Sequence, residues 1–251
     1  MFRPDWLAEK RAELSALTDL ALPEITPSRR DFTQFVATQK REIALVPRLQ
    51  RVDPATGRAW PTADLVGFAQ LCDDAETAAI AVRTAAVFGT SIADLDAVAA
   101  TVTAPLLRDD LCLDERHVYH ARLHGADAVV LPAGELDPAA LRTLAALAAS
   151  MHMTSVIEVA ADAALAAALA LPTVCIGLAV TDAAGQADLV QVRRLAGQIP
   201  RHRIVLLLAE VGELDALGAL TGLLDAAVVG DALLDAADPA AAIAAFVTGA
   251  G

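Results

Sequence analysis

Positive charge is scarce in this chain. Its 251 residues carry 19 Lys+Arg against 32 Asp+Glu, a formal net charge of −13. A chain this acidic is a poor partner for nucleic acid or for an anionic membrane surface. Cysteine is scarce too. Cys72, Cys112 and Cys175 are odd in number and far apart, which argues against a disulfide framework or a thiolate zinc site and fits a reducing compartment. No apolar run, Ala163–Leu171 included, approaches the roughly 20 residues of a membrane helix. The opening MFRPDWLAEKR is too charged for a secretory signal. There is no P-loop, no Gly-x-Ser-x-Gly elbow and no Gly-x-Gly-x-x-Gly turn after the first strand. These absences lead to the expectation of a soluble cytoplasmic protein.

What the chain has in quantity is apolar side chain, 56% of all residues, enough for a large core. The apolar runs are short and evenly punctuated. Strands are expected at Ile43–Arg48, Ala79–Thr84, Ala104–Asp109, Ala128–Leu131, Thr154–Val159, Thr173–Leu178, Ile204–Ala209 and Ala226–Val229. Between them lie helical patterns at Ala63–Cys72, Ser91–Thr101, Asp114–His124, Pro138–Met151, Asp162–Leu169, Asp188–Ala196 and Glu213–Leu223. Ser91 and Asp162 stand at helix N-caps, Pro138 in a first turn, and Gly125 where a helix C-cap belongs. Before the first strand come two helices, Asp5–Leu17 capped by Asp5 and a shorter one around Arg30–Arg41, joined by the proline-bearing connector Ala21–Ser28. Eight strands alternating with helices argue a parallel α/β fold, and eight closes a (β/α)8 TIM barrel. An open doubly wound sheet is the other possibility. The expectation is one domain over 1–251, with 1–42 a helical N-terminal extension and 43–251 the barrel.

One stretch organises the rest: Leu107–Leu131, LRDDLCLDERHVYHARLHGADAVVL. It resembles the third strand and loop of indole-3-glycerol phosphate synthases, roughly L-R-K-D-F-I-x-D-E-x-Q-I-Y-E-A-R-x-x-G-A-D-A-V-L-L. Other stretches resemble the same family: Arg51–Gly57 (RVDPATG) its R-A-S-P-S-K-G, Val87–Leu95 (VFGTSIADL) its F-F-G-G-S-x-x-D-L, and Ser155–Val159 (SVIEV) its strand with a catalytic glutamate. Ile176–Asp182 (IGLAVTD) is similar to I-G-I-N-N-R-D, Ala209–Gly212 (AEVG) to S-E-S-G, and Val229–Leu233 (VGDAL) to V-G-E-A-L. The resemblance covers nearly the whole chain, prelude included. It implies a barrel that closes an indole ring on an anthranilate joined to ribulose phosphate, losing carbon dioxide and water, as in tryptophan biosynthesis.

Carried over residue by residue, the resemblance keeps the scaffold and loses much of the chemistry. The family's first-strand glutamate and lysine fall on Arg48 and Gln50, and the lysine of R-K-D-F falls on Asp109. The asparagine after the sixth strand falls on Ala179, the nearby arginine on Thr181, and the serine of S-P-S on Asp53. Glu158 and Glu210 stand at the two glutamates, while the serine after the second falls on Val211. The phosphate-rim glycines are present as Gly212 and Gly230. A general acid must offer a proton near neutral pH, which Gln50 cannot and Asp109 can only if its surroundings raise its pKa. Nor does Thr181 replace an arginine's two-pronged hold on a carboxylate.

Strand ends converge on one mouth of a barrel, so Asp109, Glu158 and Glu210 are expected to ring it with Arg48, Arg83 and Arg108 near. Crowded carboxylates repel. Either Arg48 pairs with Glu158 or Glu210, or one carboxyl stays protonated and serves as an acid, or a hard cation sits between the oxygens, or the pocket is wet and inert. The expected acid/base groups are Glu158, Glu210 and Asp109 with Arg48 as their electrostatic partner. The expected ligand-binding residues are Gln50, Arg51, Arg83, Leu111, Leu131, Ala179, Thr181, Gly212, Gly230 and Asp231. No metal site and no cofactor are expected. His117, His120 and His124 share one face of a helix outside the barrel and are read as packing or solvated. Trp6 and Trp60 are read as packing the prelude, with ligand stacking by Trp60 as the other option. Asp110 is read as structural, since neighbours on a strand point apart. The expected function is that of a divergent enzyme with lyase-like acid/base chemistry on a related aryl or sugar-phosphate-like metabolite, acting as a monomer. The alternatives are a catalytically silent barrel that binds a metabolite or a protein partner, and residual synthase activity.

Overall fold

A computed structural model describes residues 3–17, 24–39, 42–60, 64–172 and 175–248. Its elements are, in order, α1 (Arg3–Ala16), α2 (Phe32–Ala37), β1 (Ala44–Leu49), β2 (Val52–Asp53), β3 (Arg58–Ala59), α3 (Leu65–Asp74), β4 (Ile80–Val82), α4 (Ile92–Ala99), β5 (Leu106–Leu111), α5 (Glu115–Leu123), β6 (Ala128–Pro132), α6 (Pro138–Ser150), β7 (Thr154–Val159), α7 (Asp162–Leu169), β8 (Cys175–Leu178), α8 (Leu189–Ala196), β9 (Ile204–Leu207), β10 (Ala226–Val229), α9 (Asp231–Leu234) and α10 (Pro239–Thr248). Eight strands close a parallel barrel in the order β1-β10-β9-β8-β7-β6-β5-β4, while β2 and β3 form a small antiparallel hairpin beside it. With helices alternating around it, this is a TIM barrel.

The barrel strands are buried on both faces, which is why their sequences read as continuous apolar runs. Their two-residue alternation sorts the core into two layers. Ala44, Val46, Leu107, Val130, Val156, Leu206 and Val228 fill the barrel interior. Leu45, Leu49, Leu106, Leu131, Ile157, Leu207 and Val229 face the helices. Gly177 is required inside the barrel, because a Cβ there would lie 2.4 Å from Leu208 Cδ1 and 2.8 Å from Val156 Cγ1. The helices are started by Asp64, Asp114, Asp137 and Asp188, whose carboxylates accept backbone N–H groups of the first turn. Gly125 takes φ +92° just past α5, as a helix C-terminus favours.

Several boundaries differ from the sequence expectations. Asp5 does not cap α1; the helix starts at Arg3 and Asp5 sits in its first turn. Asp162 is likewise a first-turn residue, with Ala161 at the cap. The segment expected as an α-helix at Glu213–Leu223 is a 3-10 helix, Leu214–Leu220. Its two glycines, Gly218 and Gly222, and the tight turn at Gly222 (φ +75°) disfavour regular α geometry. The hairpin β2–β3 and the terminal helices α9 and α10 were not expected. Residues 21–23, 40–41, 63 and 173–174, on which parts of the expected connector, helices and sixth strand fall, lie outside the described residues.

Two buried tethers fix the prelude. At the bottom, α2 plugs the barrel with Phe32 and Val36, and Asp127 ties the connector down by accepting from Ser28 Oγ (2.6 Å) and pairing with Arg30 Nε (2.7 Å). On the side, Asp110 points out of the barrel wall. It accepts from Trp6 Nε1 (2.7 Å), Lys10 Nζ (2.5 Å), Thr84 Oγ1 (2.5 Å) and Arg108 Nη2 (3.1 Å). Asp110, Lys10 and Arg108 are fully buried, and Glu13 closes the network from α1. Burial opposes charge on Asp110, yet Lys10 and Arg108 outweigh it and hold the carboxyl far below the ordinary carboxylate range. Asp110 is thus structural, as expected.

Replacing Asp110 with Ala strands two buried cations. Asp110→Ala is expected to cost about 3–5 kcal/mol in urea unfolding. A loss below about 1 kcal/mol would show that α1 is held by packing alone.

Candidate active site at the barrel mouth

The alternation that sends Val46 and Leu107 inward sends Arg48 and Asp109 inward one step further along, at the C-terminal end of the barrel. There they line a cavity of about 310 Å³ together with Glu158 from β7, Glu210 after β9, and Gln50, Arg83, Ala179 and Thr181. Of the ten residues expected to bind ligand, four therefore line this cavity, beside all four expected acid/base and partner groups.

Arg48, fully buried, is the centre of this mouth. Its Nε donates to Asp109 Oδ2 (2.6 Å), its Nη1 to Glu210 Oε1 (2.6 Å) and its Nη2 to the Leu208 carbonyl (2.7 Å). Burial alone would pull the guanidinium down; the carboxylates of Asp109 and Glu210 outweigh that and hold it above its ordinary range. Arg48 therefore pairs with Glu210, one of the two partners expected, and with Asp109 as well.

Arg83 is the second cation. It is 8% exposed. Its guanidinium carbon lies 4.1 Å from the Phe88 ring centre and 4.9 Å from that of Trp6. Its Nε is 3.3 Å from Asp109 Oδ2 but makes no hydrogen bond. Burial first, and then Arg48, lower its pKa to about 10 against the pull of Asp109. Arg108, expected nearby, faces the other way: it donates to Thr84 and to the His117 carbonyl outside the wall. Its place on the strand, one before Asp109, dictates that.

The rim after β9 and β10 is filled from within. Glu210 Oε2 accepts the N–H groups of Gly230 (3.0 Å) and Asp231 (3.4 Å). Gly230 permits this approach, since a Cβ there would sit 2.7 Å from Glu210 Oε1 and 3.3 Å from Arg48 Cβ. Asp231, 5% exposed, accepts from Gln50 Nε2 (2.8 Å). Desolvation, followed by Glu210 and Asp53, raises its pKa from 3.8 to about 7. Asp231 and Gly212 border a second, shallower cavity of about 400 Å³ with Arg58 and Asp235. Arg58 pairs there with Asp235, to which Trp60 Nε1 also donates (3.0 Å).

The remaining expected residues lie elsewhere. Arg51 pairs with Asp94 (2.9 Å) beside the hairpin. Leu111 is buried beneath Trp6 and Phe88, and Leu131 sits between barrel and helices; neither borders a cavity described here. His117 is buried and accepts the Leu113 N–H (3.1 Å), while the rings of His120 and His124 pack edge to face at 4.7 Å. Among the described residues no group of three or more His, Cys, Asp or Glu side chains could hold a metal ion. Nor is any helix among them long and apolar enough to cross a membrane. The residue that sequence reasoning missed at the mouth is Trp6. Its signal, a tryptophan in the first helix, says that it packs but not on which end of the barrel.

Comparison with known proteins agrees with this geometry. The model of the family "Indole-3-glycerol phosphate synthase" matches residues 3–246. The indole-3-glycerol phosphate synthase of Mycobacterium ulcerans is 32% identical over 217 residues, spanning 85% of this chain and 80% of the relative. That of a Parafrankia species is 31% identical over 245 residues, spanning 96% and 89%. Among solved structures, KGPDC from Streptococcus mutans aligns at TM-score 0.61 and 16% identity, over 81% of this chain and 95% of that one, a likeness of fold.

The raised pKa of Asp231 has a sign that can be measured. Between the unfolded value of 3.8 and the folded value of about 7 the native state binds more protons, so this group's stabilisation is complete below 3.8 and is lost as pH rises through 7. Asp231→Asn removes the titration and keeps an acceptor for Gln50. The variant's Tm relative to the parent is expected to rise between about pH 4.5 and pH 8. A difference that stays flat would mean that Asp231 ionises as an ordinary carboxylate.

Proposed function

The chain belongs to the indole-3-glycerol phosphate synthase family, and from that premise we propose that it is a divergent enzyme whose rebuilt mouth acts on a related small metabolite instead of running the family's ring closure. One observation supports this most: a cavity of about 310 Å³ is retained, but its centre is a locked arginine. An arginine keeps its proton at any ordinary pH and cannot serve as the general acid that a lysine can. Misalignment does not rescue the lysines. The chain has only two, Lys10 and Lys40. Lys10 is buried against Asp110 outside the barrel wall, and Lys40 lies outside the described residues.

Acid/base work then falls to carboxylates. Asp109 is held as the anion partner of Arg48 (2.6 Å), and Glu210 is divided between Arg48 and the rim amides. Glu158 lines the same cavity from β7 and is the candidate proton carrier. Arg48 uses three of its five N–H groups on protein, leaving donors for charge that develops on a ligand. The double engagement of Glu210 also favours a second reading, in which the barrel binds its metabolite without turning it over.

Mixing the purified protein with 1-(2-carboxyphenylamino)-1-deoxyribulose 5-phosphate tests this by indole fluorescence and by melting. The expected result is no turnover above the uncatalysed rate and a Tm raised by about 2–8 °C at saturating ligand. Turnover would make the chain a synthase and overturn the proposal. Neither turnover nor a shift would favour a silent barrel.

A further inference from the structure

Arg83 is an incompletely paired charge at the barrel mouth. It lines the main cavity and is 8% exposed. Its one ionic neighbour among the described residues is Asp109, already held by Arg48 at 2.6 Å. No acceptor is in hydrogen-bonding position at Nε. A buried guanidinium in this state costs stability unless something completes its pairing. Trp6 and Phe88 do not complete it, but they fix its orientation through ring faces at 4.9 and 4.1 Å. The result is a planar fork of N–H donors at the wall of a pocket to which Ala160, Ala179 and Leu208 contribute apolar surface.

We propose that Arg83 grips the carboxylate of this pocket's ligand, and that the ligand is a small organic acid carrying no phosphate. A carboxylate matches the guanidinium fork with two parallel hydrogen bonds. A phosphate matches it as well, so the rest of the mouth decides. Of the rim amides that would hold a phosphate, those of Gly230 and Asp231 already donate to Glu210. Behind them stand Asp53, Asp231 and Asp235, and α9 is only four residues long. The main cavity itself holds Asp53, Asp109, Glu158 and Glu210 against two arginines. A monoanion seated on Arg83 is tolerable there; a dianion at the rim is opposed by Asp53, Asp231 and Asp235, and the cation beside it, Arg58, is already paired with Asp235. This proposal rests on the reading of the mouth as a working ligand pocket.

Calorimetry with three probes tests it: 1-(2-carboxyphenylamino)-1-deoxyribulose, its carboxamide analogue and its 5-phosphate, with the plain acid measured also on the Arg83→Met variant. Methionine keeps contact with the two rings, and a melting curve confirms its fold. The expected result is binding of the acid, at least tenfold weaker binding of the amide, no tightening by the phosphate, and at least tenfold weaker binding of the acid to the variant. Equal binding of acid and amide, or an unchanged Kd in Arg83→Met, would remove Arg83 from carboxylate recognition while leaving the pocket reading intact. A phosphate that tightens binding tenfold or more would overturn the exclusion of phosphate alone. No binding of any probe at millimolar concentration would overturn the inference and the pocket reading together.

Discussion

A guanidinium buried in a barrel must be paired, and the pairing of Arg48 sets the positions of three strand ends at once. Asp109 from β5 and Glu210 after β9 approach it at 2.6 Å, and the Leu208 carbonyl closes the third side at 2.7 Å. Gly230 has no side chain because Arg48 and Glu210 occupy the space where one would go. By resemblance the family places a glutamate at position 48 and a lysine at position 109. This chain carries the opposite sign at both, and here the two residues pair at 2.6 Å. On the proposed reading this exchange leaves a charged pair at the mouth but no lysine to act as a proton donor.

The same strand end carries a second charge system facing the other way. Asp109 points in and Asp110 points out, so one step along β5 separates the pocket from the tether of α1. The two are coupled through Trp6, which donates to Asp110 and packs at 4.9 Å against Phe88 at the cavity wall. The prelude is therefore part of the mouth. Loosening α1 would withdraw one of the rings that orient Arg83 as well as the buried partner of Asp110.

Which residues reach the mouth was legible because strand alternation is a local rule. Once Leu107 was read as buried, Asp109 in and Asp110 out followed, and β7 and β10 were read residue for residue. Arg108 was misplaced only by neglecting the same rule. What could not be read depends on contacts distant in sequence. Trp6 meets Asp110 across 104 positions, and Arg48 meets Glu210 across 162. Asp5 and Asp162 have the chemistry of caps, yet both lie inside the first turns of their helices, because where the chain first turns helical is set by packing as much as by the cap. At Glu213–Leu223 the apolar spacing was real and buries Leu217 and Leu220, but spacing does not distinguish an α-helix from a 3-10 helix.

By resemblance, Gly212 and Gly230 stand where the family cradles a phosphate. A backbone N–H binds whichever anion is nearest, and here that anion is covalently attached: Glu210 reaches the amides of Gly230 and Asp231 from inside the barrel. An external phosphate would have to displace a carboxylate whose other oxygen is locked to Arg48 at 2.6 Å. It would also have to enter beside Asp53 and Asp231, the latter already raised to a pKa of about 7 by desolvation, then by Glu210 and Asp53. The substitution at position 48 therefore acts at a distance. By drawing Glu210 inward and fixing it, an arginine in the first strand changes what the last two strands can bind.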